Sequence, residues 1–312
     1  MITKSTVLIL GAGASYPYDL PLGAELRKSI CEMVDGHNSV YRSLKLHTNN
    51  NSEEIKNFAR QFKRSHVNSI DAFLAKRSEF TEIGKLAIAA ALIEKENPDG
   101  VLNAKDTENW YSYMWNLMIQ DIHDISQLQS NRINFITFNY DRSLEYFLHL
   151  STRNTFGVND DKAQQALHGL GILHIYGSLG KFHYLPGADV RQYLNDLNNV
   201  TLQIAANGIE IIPEARNDSK AFMVARKLCA EAESIGFLGF GFDPLNIERL
   251  GLADVLKYRK EQSGSTPRIV ASTLGVTHAE MTRYKNQICP NEIWEPKSNN
   301  CLMTLRESTL LG

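Results

Sequence analysis

The stretch Thr6–Leu26, TVLILGAGASYPYDLPLGAEL, leaves the chain few ways to fold. An apolar run, Val7–Leu10, drops into GAGAS and then into a segment able to open a helix at about Leu22. A short continuous apolar run bounded by a turn fits a strand buried on both faces, inside a sheet covered by helices. Gly11 and Gly13 permit a tight turn and close backbone approach, and a helix N-terminus beyond them offers unpaired N–H groups at a positive dipole end. These are the elements of a pyrophosphate site, although glycine turns after strands also occur with no ligand. The turn does not read G-x-G-x-x-G, and no acidic residue stands about 20 residues on, at the end of a second strand, to hold an adenosine ribose. Nucleotide binding here departs from the ordinary dehydrogenase plan.

Beyond a polar, Asn-rich stretch, Glu54–Glu96 reads as helices, with Ile70, Phe73 and Leu74 on one face and Ile83, Leu86, Ala87 and Ala90 on another. Asn97-Pro98-Asp99-Gly100 stops that run, and Trp110–Ile125 reads as a further amphipathic helix. From Ile133 the period changes: INFITF is a strand that ends in Asn139-Tyr140-Asp141 and passes at once into the helical RSLEYFLHL. Ile172–Tyr176 is the next strand, and its period of two places His174 and Tyr176 on one face. Lys181–Pro186 reads as a hairpin, Ile209–Ile212 as a short strand and Lys220–Ser234 as a helix. The strands Ile235–Phe240, leading into GFDPLN, and Arg268–Thr273 complete the pattern. Strands separated by helices predict an α/β fold, a Rossmann-like parallel sheet flanked by helices. Residues 1–312 read as a single domain, with residues 36–130 a helical insertion after the first βα unit.

Of the 312 residues, 43% are hydrophobic and 22% charged, enough to bury a large core. A net charge of -2 with no basic run disfavours a nucleic-acid partner. Cys31, Cys229, Cys289 and Cys301 are isolated, which predicts reduced, mostly buried thiols and no clustered zinc site. The N-terminal apolar run is too short for a signal peptide and no 18-residue apolar run follows, so the expected location is cytoplasmic, with no membrane partner.

Four junctions, GAGAS, TFNYD, HIYGS and FLGFGFDPLN, taken in this order, resemble the sirtuin-like NAD-binding domains, in particular the bacterial branch found in NAD-consuming antiphage defence proteins. SIDAFL, at Ser69–Leu74, fits the same resemblance. It implies NAD as substrate, with Gly11, Ala12, Gly13 and Ser15 on phosphate and ribose, and Pro21 at the proline of G-[IL]-P, where Asp19 replaces the usual glycine. It further implies that Asn139 fixes the ribose and the attacking water, that Asp141 accepts from the nicotinamide carboxamide, and that Gly239, Gly241 and Asn246 line the adenosine side. The family's catalytic histidine directly precedes Gly-Ser; here Tyr176 precedes Gly177-Ser178, so His174 is expected to act from two residues earlier with Tyr176 closing the crevice. His168 and His183 are weaker candidates. The structural alternatives are an Asn139 that only caps a helix and a His174 paired to a backbone carbonyl.

The expected activity is hydrolysis of NAD to nicotinamide and ADP-ribose, through an oxocarbenium-like state that needs an oriented water in a dry pocket. A non-catalytic NAD or ADP-ribose sensor is the alternative. Without a four-cysteine zinc module, a protein deacylase or ADP-ribosyltransferase is the lesser one. The resemblance further implies no metal and an oligomer, either of this chain or with a separately encoded HerA-type ATPase or nucleotide-processing enzyme. Trp110, Tyr111, Tyr113 and Trp115 lie close together and are explained equally by a contact surface or by core packing.

Overall fold

The computed structural model describes residues 1–49, 51–182, 189–194, 196–211, 220–288, 294–297 and 299–312. Its strands are β1 (Thr6–Leu10), β2 (Ile133–Thr137), β3 (Gly171–His174), β4 (Lys181–Phe182), β5 (Val190–Arg191), β6 (Ser234–Leu238), β7 (Arg268–Ser272) and β8 (Trp294–Lys297). Six of them make one sheet in the order β3-β2-β1-β6-β7-β8, and every pairing is parallel. This is the Rossmann-like α/β architecture that the alternation of strands and helices predicts.

The apolar runs are continuous because each strand supplies two cores. Val7, Ile9, Ile136, Ile235 and Phe237 enter one apolar layer, while Leu8, Leu10, Ile133, Phe135 and Leu238 enter the other. Period-two alternation sends successive side chains to opposite faces, and with helices on both faces neither set is polar. The first face is covered by helices Gly23–Cys31, Thr81–Ile93, Asn199–Gly208 and Lys220–Glu231, the second by Trp110–Ile119, Ser143–Phe156 and Cys301–Ser308. Thr81–Ile93 is buried along most of its circumference, as its run of Ala, Leu and Ile requires.

Every regular element among the described residues from 11 to 132 is helical. The helix opening at Trp110 closes at Ile119, earlier than its apolar spacing predicts, because Asp121 takes a left-handed φ of 61°. A separate 3-10 turn, Ile125–Ser130, follows under an Asp124 cap. Lys181–Phe182 pairs in parallel with Val190–Arg191 and so does not open a hairpin, and 183–186 lie outside the described residues. Of the strand expected at Ile209–Ile212, Ile209 forms one isolated bridge to Gly177, and Ile212 is outside the described residues. β8 carries Pro296 and no long apolar run, and nothing in its sequence marked it as a strand.

A buried ionic cluster fastens the end of the Thr81–Ile93 helix region to the sheet. Glu96, just beyond the Thr81–Ile93 helix, accepts from Arg142 Nε at 3.0 Å and Nη2 at 2.9 Å, and from Arg191 Nη1 at 2.5 Å. All three side chains are at most 2% exposed. The surplus positive charge is met by backbone carbonyls: Arg142 also donates to those of Arg191 and Gln192, and Arg191 to that of Leu179.

Candidate functional site

The strand order reverses at β1: the chain builds outward through β2 and β3, then returns to the other side of β1 for β6, β7 and β8. In such sheets ligands bind beyond the carboxyl ends at that switch point. The turns that meet there are those after β1, β2, β3 and β6, the four junctions that the sequence singles out.

The first and last of these press on one another. Gly11 N–H donates to Leu238 O at 3.1 Å and Gly13 N–H to Gly239 O at 3.0 Å. A Cβ on Gly13 would lie 2.8 Å from Gly239 Cα, and one on Gly239, whose φ is 55°, would lie 2.0 Å from Ala14 N. Gly11, Gly13 and Gly239 are therefore explained by loop-on-loop packing, and the amides of Gly11, Gly13 and Ala14 are already used within the protein. The turn enters a short helix at once, Ala12–Ser15, and Gly23–Cys31 begins only after a 3-10 turn at Tyr16–Tyr18. Gly241 differs, being exposed with nothing within 4 Å of a Cβ.

Asn139 sits where the β1 and β2 turns meet. Its Nδ2 donates to Gly11 O at 2.9 Å and to Ser15 Oγ at 3.1 Å. A carbonyl oxygen only accepts, so these contacts fix which end of the amide is nitrogen. Asn139 Oδ1 has no hydrogen-bond partner among the described residues and is the end left for a ligand. Asn139 does not cap the next helix, whose N-cap is Arg142; Asp141, just before it, turns its Oδ1 onto Ser143, accepting from Ser143 N at 3.0 Å and Ser143 Oγ at 2.5 Å. Ser143 Oγ also meets Tyr111 OH at 2.8 Å. Burial pushes the Asp141 carboxyl above its ordinary value, against hydrogen bonds from Ser143 and Ser15 that favour the charged form. Asp141 is thus buried and held by Ser143.

His174 and Tyr176 do not point the same way. β3 ends at His174, and the chain turns at Gly177, with φ 72°, so period two is lost before Tyr176. His174 Nδ1 donates to Asn139 O at 2.9 Å, and Nε2 meets Glu145 Oε1 of the Ser143–Phe156 helix at 2.5 Å. Both ring nitrogens are thus engaged within the protein, one of them by a backbone carbonyl. Burial opposes the charged imidazole, but Glu145, the Asn139 carbonyl and Asp141 together raise its pKa above 6.5. Tyr176 packs on the opposite face against Phe138 and Phe222, and its hydroxyl donates to Asn246 Oδ1 at 2.6 Å. Its pKa is pushed up to about 12 by burial.

Asp71, inside SIDAFL, accepts from Tyr140 OH at 2.6 Å, so the insertion holds the middle residue of the Asn-Tyr-Asp turn. Burial raises the Asp71 carboxyl. Three of the four aromatics are core, Trp110 at 0%, Tyr111 at 1% and Trp115 at 6% exposed, whereas Tyr113 is half-buried against them. Sequence reasoning passed over Glu145 and the roles of Tyr111 and Asp71; a carboxylate two residues past Ser143 in a helix's first turn is a common solvated charge, and only the fold brings it to His174.

Pro21 lines a cavity of about 830 Å³ between its own turn and the Thr81–Ile93 helix, with Asp19, Glu25, Lys95 and Asp99, and none of the glycine-turn or Asn139 residues borders it. Pro21 therefore lies apart from the crevice. Glu145, Ser178 and His168 line a second cavity of about 370 Å³ beside β3. His183 and Cys289 lie outside the described residues, whereas Cys31, Cys229 and Cys301 are free and buried. Among the described residues no group of three or more His, Cys, Asp or Glu is placed to hold a metal, and no helix is long and apolar enough to cross a membrane.

Sheet and switch point define an α/β protein of Rossmann-like fold with an oriented amide at the centre of its crevice. Neither the protein-family models nor the curated proteins give a match to this chain.

Proposed function

We propose that the chain is a sirtuin-like NAD glycohydrolase whose orienting residue is Asn139. The observation that carries this reading is the Asn139 amide, tied at Nδ2 by Gly11 and Ser15 and left open at Oδ1 beyond the carboxyl ends of β1 and β2. An acceptor fixed there suits a ribose hydroxyl or the attacking water. In the reaction the ribose C1′–nitrogen bond breaks, with its electron pair leaving on nicotinamide. Water oxygen bonds C1′ and loses one proton to solvent, giving ADP-ribose, nicotinamide and H⁺. The oxocarbenium-like centre calls for a placed water more than for a strong base, so committed nitrogens on His174 are compatible with turnover.

In the cell this reading makes the chain a cytoplasmic, NAD-depleting effector of antiphage defence. It works as a homo-oligomer or with a separately encoded partner such as a HerA-type ATPase or a nucleotide-processing enzyme. The isolated chain is slow and its assembly fast. One observation favours a second reading: Tyr176, at the place of the family's catalytic histidine, gives its hydroxyl to Asn246. A closed crevice of that kind suits a sensor of NAD or ADP-ribose without turnover.

Calorimetric titration with ADP-ribose, together with chromatography of NAD after hours of incubation with the chain alone and with the products of neighbouring genes, separates the two. Binding with release of nicotinamide supports the hydrolase; binding without release supports the sensor. Absence of both refutes the NAD assignment.

A further inference from the structure

We infer that Glu145 and His174 form one positioning unit for Asn139, with His174 held as an imidazolium bridging the Asn139 carbonyl and the Glu145 carboxylate. The functional part of this inference rests on the NAD-cleavage reading; the structural part does not.

The protonation follows from the partners. Asn139 O only accepts, so Nδ1 carries a hydrogen. One proton then lies between Nε2 and Glu145 Oε1, 2.5 Å apart. An ordinary carboxyl is a far stronger acid than an imidazolium, so that proton belongs to the ring and the contact is a charge-assisted pair. The charged groups that act on the ring, Glu145 from the Ser143–Phe156 helix and Asp141 from the turn, are both acidic and both favour the cation.

The geometry gives this pair its purpose. His174 grips the backbone of Asn139 at the end of β3, while Gly11 and Ser15 grip its side chain from the β1 turn. Backbone and side chain are thereby fixed from two different strands, and Oδ1 has one direction left to face. Glu145 is 22% exposed and borders the 370 Å³ cavity, so the pair's outer end meets solvent on the side away from Asn139. Loss of the Glu145 charge leaves the ring free to lose its Nε2 proton and turn, and the carbonyl it holds is released.

Nitrogen NMR of His174 in the full chain tests the pair directly. We expect both ring nitrogens protonated at pH 7, and an apparent pKa that falls in Glu145→Gln. A neutral ring at pH 7, or an unchanged pKa in the variant, overturns the pair whatever happens to NAD. In turnover, Glu145→Gln is expected to lower kcat about 10- to 100-fold with little change in KM, the size of a lost supporting contact at a site. Its double variant with His174→Gln is expected to be no worse than the poorer single variant. An imidazolium that responds to Glu145, combined with unchanged kcat in an active enzyme, refutes the positioning role. If the wild-type chain cleaves no NAD in any assembly, the hydrolase reading fails by itself; the positioning of Asn139 is then read from ADP-ribose affinity, expected to weaken in Glu145→Gln and refuted if unchanged or if ADP-ribose does not bind.

Discussion

The indole Nε1–H of Trp110 donates to the carbonyl oxygen of Ala14 at 2.8 Å, across 96 residues of sequence and with both groups buried. Next to it, Tyr111 N–H donates to Tyr18 OH at 2.8 Å, and the Tyr18 and Tyr111 rings stack at 3.7 Å. The helix that starts at Trp110 thus supports both turns of the site: GAGAS through Trp110, and Asn-Tyr-Asp through Tyr111, Ser143 and Asp141. Trp110→Phe keeps most of the apolar volume but orphans the Ala14 carbonyl. We expect a loss of about 1–3 kcal/mol in urea unfolding, the usual cost of a buried unsatisfied acceptor. No change in the midpoint would mean that the contact contributes nothing.

Gly239→Ala places a Cβ 2.0 Å from Ala14 N on a residue with φ 55°, whereas Gly241→Ala places one in open space. The first is expected to cost more than about 2 kcal/mol or to prevent folding, the second less than about 0.5 kcal/mol. Thermal melting of the two variants compares them. Equal effects would return the glycines to a ligand role and contradict the packing account.

Glu96→Ala leaves the Arg142 and Arg191 guanidinium groups buried without their shared carboxylate. A loss of about 3–5 kcal/mol is expected from breaking a buried ionic cluster on one side. Chemical denaturation measures it, and a loss below 1 kcal/mol would show that the carbonyls alone satisfy both arginines.

Asp141 supplies a pH test with a definite sign. Its folded-state pKa is raised by burial, so the folded protein holds this proton more tightly than the unfolded chain does. Its contribution is fully present below the ordinary value of 3.8 and is lost as pH rises through the raised value. Asp141→Asn keeps an oxygen for Ser143 and removes the titration. The stability of the variant relative to wild type is therefore expected to increase from pH 4 to pH 7 in urea titrations. A difference that shrinks over that range contradicts the assignment.

What the chain spells out locally, the structure keeps. β1, β2, β6 and β7 were legible because each is a compact apolar run ending in a polar or glycine turn, and burial on both faces removes any need for alternation. What depends on distant partners was not. Gly13 looked like a residue that admits a ligand because its true neighbour, Gly239, lies far along the chain. Tyr176 was placed by strand period, which fails once β3 stops at His174, and the partners of His174, Glu145 and Asn139, are 29 and 35 residues away. Trp110 and Tyr111 were equally consistent with surface and core, and their burial was settled by the Ala14 carbonyl and the Tyr18 ring.

The central claim is that Asn139 orients the cleavage of NAD, and nicotinamide release from NAD by wild type and Asn139→Ala tests it most directly. The chain is incubated for hours, alone and with the products of neighbouring genes, and nicotinamide and ADP-ribose are quantified by chromatography. We predict equimolar products from wild type and a rate at least about 100-fold lower from a variant that remains folded, as for removal of a preorganised polar contact. Undiminished release by a folded Asn139→Ala, or none from wild type in any combination, would contradict the account.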